Sequence, residues 1–295
     1  MEKIQPRGQE QLIDFPKIEG ILGKAYDIRR LMAPGGEEVV TKGSGFGELT
    51  NDTEIGADKI LGQKLVAYLE ESFRNIPFEV EVEGVGRVSK NVSPDSNIDY
   101  YITLDPLDGS LNFRLRGKTL GLPYTTALAI FERTSPTYKD CVAGGVIDLR
   151  SGDIWAALRG KGATLNGLPC RTSGATKVNL KEGIVIGEFY YPENRELLLK
   201  LFKGERGWLR NPGSAAYEMA LVASGQADAF ICDRQKAHEL GSAYLLVAEA
   251  GGYVCDFEGQ DLADRDYQFN SQTPVIVAST RDLALEIVGR IKSTS

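Results

Sequence analysis

The chain of 295 residues holds a single histidine, His238, and that scarcity excludes much chemistry at once. A metal site built from several imidazoles is impossible, and a Ser-His-Asp arrangement has one candidate base at most. Cysteine is also scarce. Cys141, Cys170, Cys232 and Cys255 lie far apart, so neither zinc nor dithiol spacing is present. They read as free thiols of a reducing compartment. No apolar run approaches the roughly 20 residues that cross a bilayer. The first residues, Met-Glu-Lys-Ile-Gln-Pro-Arg, lack the apolar stretch of a secretory signal, which makes the cytoplasm the expected location. Cationic excess is missing too: 34 Lys and Arg face 41 Asp and Glu, for a net charge of −7. A nucleic-acid or anionic-membrane binder would need the opposite balance to neutralise phosphates. Chemistry in this chain must run on carboxylates, hydroxyls and bound cations.

What is present suffices for a large core. Ile18, Ile21, Leu22, Tyr26, Ile28, Leu31 and Met32 fall at helical spacing and predict a helix that ends before Pro34-Gly35-Gly36. Residues 37–53 are Gly-rich and read as an irregular hairpin. Ile60, Leu61, Leu65, Val66, Leu69 and Phe73 mark a second helix. Residues 78–83 alternate as a strand, and 100–104 form a short apolar strand. Runs at 125–131, 142–147 and 153–157 read as consecutive antiparallel strands. Asn166-Gly167 is a strong hairpin turn. Beyond it, strands at 184–187, 229–232, 253–256 and 275–278 alternate with helices at 193–202, from Gly213-Ser214-Ala215-Ala216 onward, 240–250 and 281–291. The pattern divides the chain into an α+β half, 1–175, and an α/β half, 176–295, within one continuous unit.

The chemical motif is Asp105-Pro106-Leu107-Asp108-Gly109-Ser110-Leu111-Asn112-Phe113, directly after the 100–104 strand. Pro106 fixes φ and helps turn the chain. The turn can aim both carboxylates and the Leu107 carbonyl at one point, and an all-oxygen set suits Mg²⁺ or Mn²⁺. Gly109 permits close backbone approach and can open a helix whose free amides suit a phosphate. Ser110 adds a hydroxyl. An isolated Asp-x-x-Asp is usually an Asx turn and helix cap; the nine-residue string behind an apolar strand is far more specific.

That string resembles the signature of the inositol monophosphatase/fructose-1,6-bisphosphatase superfamily, and most closely its archaeal and bacterial bifunctional type. Gly160-Lys161-Gly162-Ala163-Thr164-Leu165-Asn166-Gly167 is similar to the family's central hairpin. Gly213-Ser214-Ala215-Ala216 is similar to its substrate-facing helix start, and residues 249–256 to its penultimate helix and strand. The resemblance implies an α+β fold, a layered α-β-α-β-α sandwich. It implies a Mg²⁺-dependent phosphomonoesterase with two or three ions, Mn²⁺ being an alternative, acting on fructose 1,6-bisphosphate or inositol 1-phosphate. Glu83, Asp105, Asp108, Glu239 and the Leu107 carbonyl would hold metal. Ser110, Glu83 and Asp58 would position the attacking water. Asp108, Gly109, Ser110, Ser214 and Ala215 would meet the substrate, with Tyr191, Arg210 and Arg234 as candidates for a second phosphate, since Arg binds phosphate in a bidentate manner. The same resemblance implies a homo-oligomer, dimer or tetramer, with no nucleic-acid or membrane partner.

The chain departs from the family pattern at three places. A Glu-Glu pair reads Glu83-Gly84, a Trp-Asp pair reads His238-Glu239, and the loop at 232–237 is shorter. His238 reads either as a hydrogen-bonded structural residue or as a metal or phosphate partner. Two other functions stay open on sequence: a phosphatase of 3′-phosphoadenosine 5′-phosphate or a nicotinamide dinucleotide phosphate, and a non-catalytic phosphosugar-binding homologue.

Overall fold

A computed structural model describes residues 13–31, 49–93, 97–115 and 121–294. Five layers stack in it. The outermost pair of helices, α1 (Phe15–Leu31) and α2 (Leu49–Ser72), buries its apolar stripe on one face of an eight-stranded sheet. That sheet comprises β1 (Phe78–Val82), β2 (Gly86–Lys90), β3 (Tyr100–Asp108), β4 (Thr125–Phe131), β5 (Cys141–Asp148), β6 (Ile154–Leu158), β7 (Gly162–Leu165) and β8 (Leu168–Cys170). Its order is β2-β1-β3-β4-β5-β6-β7-β8, antiparallel throughout except where β1 runs parallel to β3. The five-residue helix α3 (Ser110–Arg114) follows β3.

The second sheet is built from β9 (Ile184–Gly187), β10 (Trp208–Arg210), β11 (Ala229–Lys236), β12 (Tyr253–Cys255) and β13 (Gln272–Ala278), in the order β10-β9-β11-β13-β12. Two helices, α5 (Ala215–Ala223) and α6 (Ala237–Glu249), lie between the sheets in the main core. A helix buried from both sides should be largely apolar, and α6 is after its first turn: every residue from Ala237 to Val247 is buried, the polar ones being His238, Glu239 and Ser242. Helices α4 (Pro192–Leu201) and α7 (Arg281–Thr294) cover the outer face of the second sheet. This is the α-β-α-β-α sandwich the motifs imply. Asn166 and Gly167, with φ of 53° and 75°, make the primed turn between β7 and β8. All four cysteines are free. No helix among the described residues is long and apolar enough to cross a membrane.

The structure corrects the sequence reading in several places. Of the hairpin expected at 37–53, residues 49–53 form the first turns of α2, and the remainder lies outside the described residues, as does Met32. The strand expected to stop at Leu104 continues as β3 to Asp108, its register with β4 shifting between Asp105 and Asp108. The segment read as a loop at 232–237 is strand nearly to its end: β11 runs to Lys236 with a register shift between Cys232 and Gln235, and passes directly into α6. Both irregularities are β-bulges, which re-aim side chains without ending a strand. Strands β2 and β10 were not expected; they are short, partly exposed edges without an apolar pattern.

Candidate metal centre

Four elements converge on one point. The parallel register pairs Val82 of β1 with Leu104 of β3. Glu83 therefore leaves β1 level with Asp105, its amide bonded to the Leu104 carbonyl at 3.1 Å. The chain turns away at Gly84, with φ 74°, where the Asp58 side chain of α2 lies close behind. The bulge in β3 carries Asp105 and Asp108 to the same side. From the opposite direction, the first turn of α6 presents His238 and Glu239, and the end of β11 presents Gln235 and Lys236.

Potential ligand atoms of Glu83, Asp105 and His238 lie within 4.8 Å of one another, as do those of Asp105, Asp108 and Glu239. Asp105 belongs to both sets and is fully buried. One of its oxygens, Oδ1, accepts the Leu107 amide at 3.0 Å, while Oδ2 is buried without a hydrogen-bond partner. Burial, then the charges of Glu83, Asp108, Glu239 and Asp58, push the Asp105 carboxyl far above the ordinary carboxylate range. Glu239 is raised strongly as well, by burial and by Asp108. For Glu83, burial alone would raise the pKa, but His238 and Lys236 outweigh it and bring the group below its usual value. Among the described residues Lys236 is the one ammonium here, 3.1 Å from Glu83 Oε1 and 4.0 Å from Glu239 Oε1. Burial opposes its charge, yet the surrounding carboxylates prevail and raise its pKa. Gln235 donates to Glu239 Oε2.

Asp108 is held on its other side. Its Oδ2 accepts from Ser214 Oγ at 2.7 Å, from the Ala216 amide at 2.8 Å and from Thr125 Oγ1 at 3.3 Å. Burial raises its pKa and these donors offset part of that rise. The hydroxyl of Ser214, a residue only 1% exposed, is thus committed to Asp108. Ala215, the first residue of α5, is buried beside it. Gly109 has φ 79°, and a Cβ there would stand 3.0–3.1 Å from Pro123 O, Ser214 Cβ and Gly213 O, so only glycine fits. Ser110 opens α3 directly after it.

The presumed second-phosphate residues separate into two places. The Arg234 guanidinium stacks 4.5 Å from the Tyr191 ring and reaches Asp233 at 3.1 Å and Glu193 at 3.3 Å. Burial raises the Tyr191 hydroxyl pKa and the charge of Lys236 opposes that rise. Arg210 instead lies over its own strand neighbour Trp208, at 4.7 Å, and donates to the Leu209 carbonyl. Sequence reasoning passed over Gln235 and gave Lys236 no role in the carboxylate cluster. Their spacings of four and three residues ahead of Glu239, across a helix start, were the available signal.

The donor set fits divalent cations. Among the described residues, Glu83, Asp105, Asp108, Glu239 and Asp58 set five carboxylates against one ammonium. A buried charge without a partner is costly, and an orphaned Asp105 oxygen at the centre is a ligand position. Comparisons with known proteins agree. The chain is 32% identical over 260 residues to the fructose-1,6-bisphosphatase/inositol-1-monophosphatase of Thermococcus kodakarensis, covering 84% of this chain and 87% of that one. It is 30% identical over 249 residues to the Nus factor SuhB of Salmonella typhimurium, covering 82% of each. An IMPase structure from Thermotoga maritima superposes with a TM-score of 0.69 over 94% of this chain and 96% of that one, at 21% identity, and so shares the fold. The description "Inositol monophosphatase family" matches residues 18–293, and the chain belongs to that family of metal-dependent phosphatases.

Proposed function

We propose that this phosphatase hydrolyses small sugar or polyol phosphates, fructose 1,6-bisphosphate and inositol 1-phosphate foremost, with two or three divalent cations, Mg²⁺ or Mn²⁺. The observation that carries the reading is the pair of ligand sets sharing Asp105. Two sets that share one carboxylate suit the two-cation clamp of phosphoryl transfer. Glu83, Asp105 and the Leu107 carbonyl are assigned to one cation, and Asp105, Asp108 and Glu239 to the other. When bound, the cations withdraw charge from the phosphoryl group and make water acidic enough to attack near neutral pH. The protein does the rest. Ser110, Asp58 and Glu83 are assigned to position the attacking water. Ser214 and the Ala216 amide fix Asp108 in one rotamer, so its free oxygen is preset for binding. The Tyr191–Arg234 pair meets the distal phosphate of a bisphosphate.

A phosphate-release screen over sugar, polyol and nucleotide phosphates, run with Mg²⁺ and with Mn²⁺, tests this. Sugar or polyol esters should lead, and Asp105→Asn should abolish release at any cation concentration. Wild-type turnover in Asp105→Asn would sink the assignment, and a nucleotide ester leading the panel would replace the substrate. The family resemblance also supports a homodimer or homotetramer, which light scattering on the purified protein tests.

A further inference from the structure

His238 is the chain's only imidazole, and it occupies the wall of the cluster where the resembled family carries an indole. Its residue is 4% exposed. Nδ1 lies 3.2 Å from the Phe269 carbonyl oxygen, an acceptor, so that nitrogen carries the proton. The Phe269 ring packs on the imidazole at 4.8 Å and fixes its orientation. In the neutral imidazole that tautomer leaves Nε2 with a bare lone pair. That lone pair is buried without a hydrogen-bond partner. It points at carboxylate oxygens: Glu83 Oε2 at 3.4 Å, Asp105 Oδ2 at 4.0 Å and Glu239 Oε1 at 4.0 Å. Lone pair against carboxylate is repulsive unless a proton or a metal cation lies between them.

From this geometry we infer that His238 Nε2 is itself a ligand of the cation held by Glu83 Oε2 and Asp105 Oδ2, and that the site therefore prefers Mn²⁺, Co²⁺ or Zn²⁺ over Mg²⁺. The inference rests on the cation-dependent reading above and deepens it. Octahedral bonds of about 2.1 Å put neighbouring ligand atoms about 3 Å apart and opposite ones about 4 Å apart, so the observed separations need only a small closure. Lys236 does not compete, because it engages the other Glu83 oxygen, Oε1. The Nδ1–H to carbonyl contact is the usual support of a ligating histidine. Imidazole is a good donor to borderline transition ions, whereas Mg²⁺ favours oxygen, so one nitrogen in the set shifts the preference.

The single histidine makes the test direct. Protein labelled with ¹⁵N-histidine gives one pair of imidazole nitrogen resonances, both from His238. In the cation-free protein, Nδ1 should read as protonated and Nε2 as unprotonated. Zn²⁺, with saturation established by calorimetry, should shift Nε2 strongly, and ¹¹³Cd²⁺ should split it by scalar coupling. Separately, His238→Gln should weaken Mn²⁺ binding about tenfold or more while changing Mg²⁺ affinity by less than about twofold. An Nε2 resonance that stays unshifted at Zn²⁺ saturation, or equal losses for Mn²⁺ and Mg²⁺, overturns the inference. If Nε2 shifts but no phosphate ester is hydrolysed with any cation, the ligand assignment stands and the phosphatase reading fails.

Discussion

Among individual residues, Lys236 has the least obvious effect, because it is a fixed cation inside a cation site. It neutralises Glu83 and Glu239 in the absence of metal and repels any ion that enters. Lys236→Met should therefore act in two directions. The cation-free protein should lose stability, since two buried or half-buried carboxylates lose a partner. Divalent-cation affinity should rise, and calorimetric titration reads it directly; weaker binding would mean that Lys236 orders the ligands more than it repels the metal. Arg234 and Arg210 should differ from each other. Arg234 shares a wall with Tyr191, but Asp233 and Glu193 already take up part of its charge. Losing one exposed charge-assisted contact should cost about tenfold in KM. Arg234→Ala should thus raise KM for fructose 1,6-bisphosphate about tenfold and leave inositol 1-phosphate unchanged. Arg210→Ala should change neither, and equal effects of the two variants would refute the separation.

The elements matter through their irregularities. The β3 bulge brings Asp105 and Asp108 together, and the β11 bulge delivers Gln235 and Lys236 to the start of α6. Helix α6 carries two of the cluster's side chains and crosses the first sheet at Gly144, where a Cβ would stand 2.9 Å from the Ser242 backbone oxygen. Backbone cannot swing aside as a side chain can, so Gly144→Ala must push α6 off β5. The expected result is a loss of about 1–3 kcal/mol, a Tm lower by several degrees, and a higher cation concentration for half-maximal activity. A normal cation requirement in that variant would show that α6 does not set the ligand spacing. These irregularities also mark what sequence could reveal. Asp105, Asp108 and Glu239 were legible because short local patterns place them: a string behind an apolar strand, and a carboxylate just before a helix. Gln235 was not, and Lys236 was legible only as a cation near the site, since a bulge leaves no periodicity by which to tell which way a side chain faces. The surroundings of Arg210 were hidden for a related reason. Its strand β10 is a three-residue edge, too short to show a pattern, and its guanidinium settles on Trp208.

The whole molecule stores charge that only a cation or protons can balance, and this sets its response to pH. Burial raises the carboxyls of Asp105, Asp108, Glu239 and Glu218. Glu83 alone among the clustered carboxylates with a resolved shift goes the other way. A carboxyl whose pKa is raised by folding keeps its proton in the native state after the unfolded chain has released it, at roughly pH 4 to 4.5. The native state then binds more protons, and stability falls with rising pH by about 1.4 kcal/mol per pH unit per group, until each raised pKa is passed. Glu83 and, outside the cluster, Asp140 contribute the reverse slope, lost as pH falls through their lowered values, which lie below this range. In EDTA, therefore, Tm should fall from about pH 5 upward. Saturating divalent cation should flatten that fall, because cations replace the protons on Asp105, Asp108 and Glu239. Binding should release protons, measurable by calorimetry in buffers of different ionisation enthalpy. Glu218 separates fold from site. It belongs to neither ligand set, one of its oxygens holds the Gly213 amide at 2.7 Å, and the other is buried without a partner. The slope remaining at cation saturation should come largely from Glu218, and Glu218→Gln should remove it while leaving proton release on cation binding intact. A cation-free Tm that does not change between pH 5 and 8 would mean that the cluster opens to water in solution and that its carboxylates ionise as ordinary surface groups do.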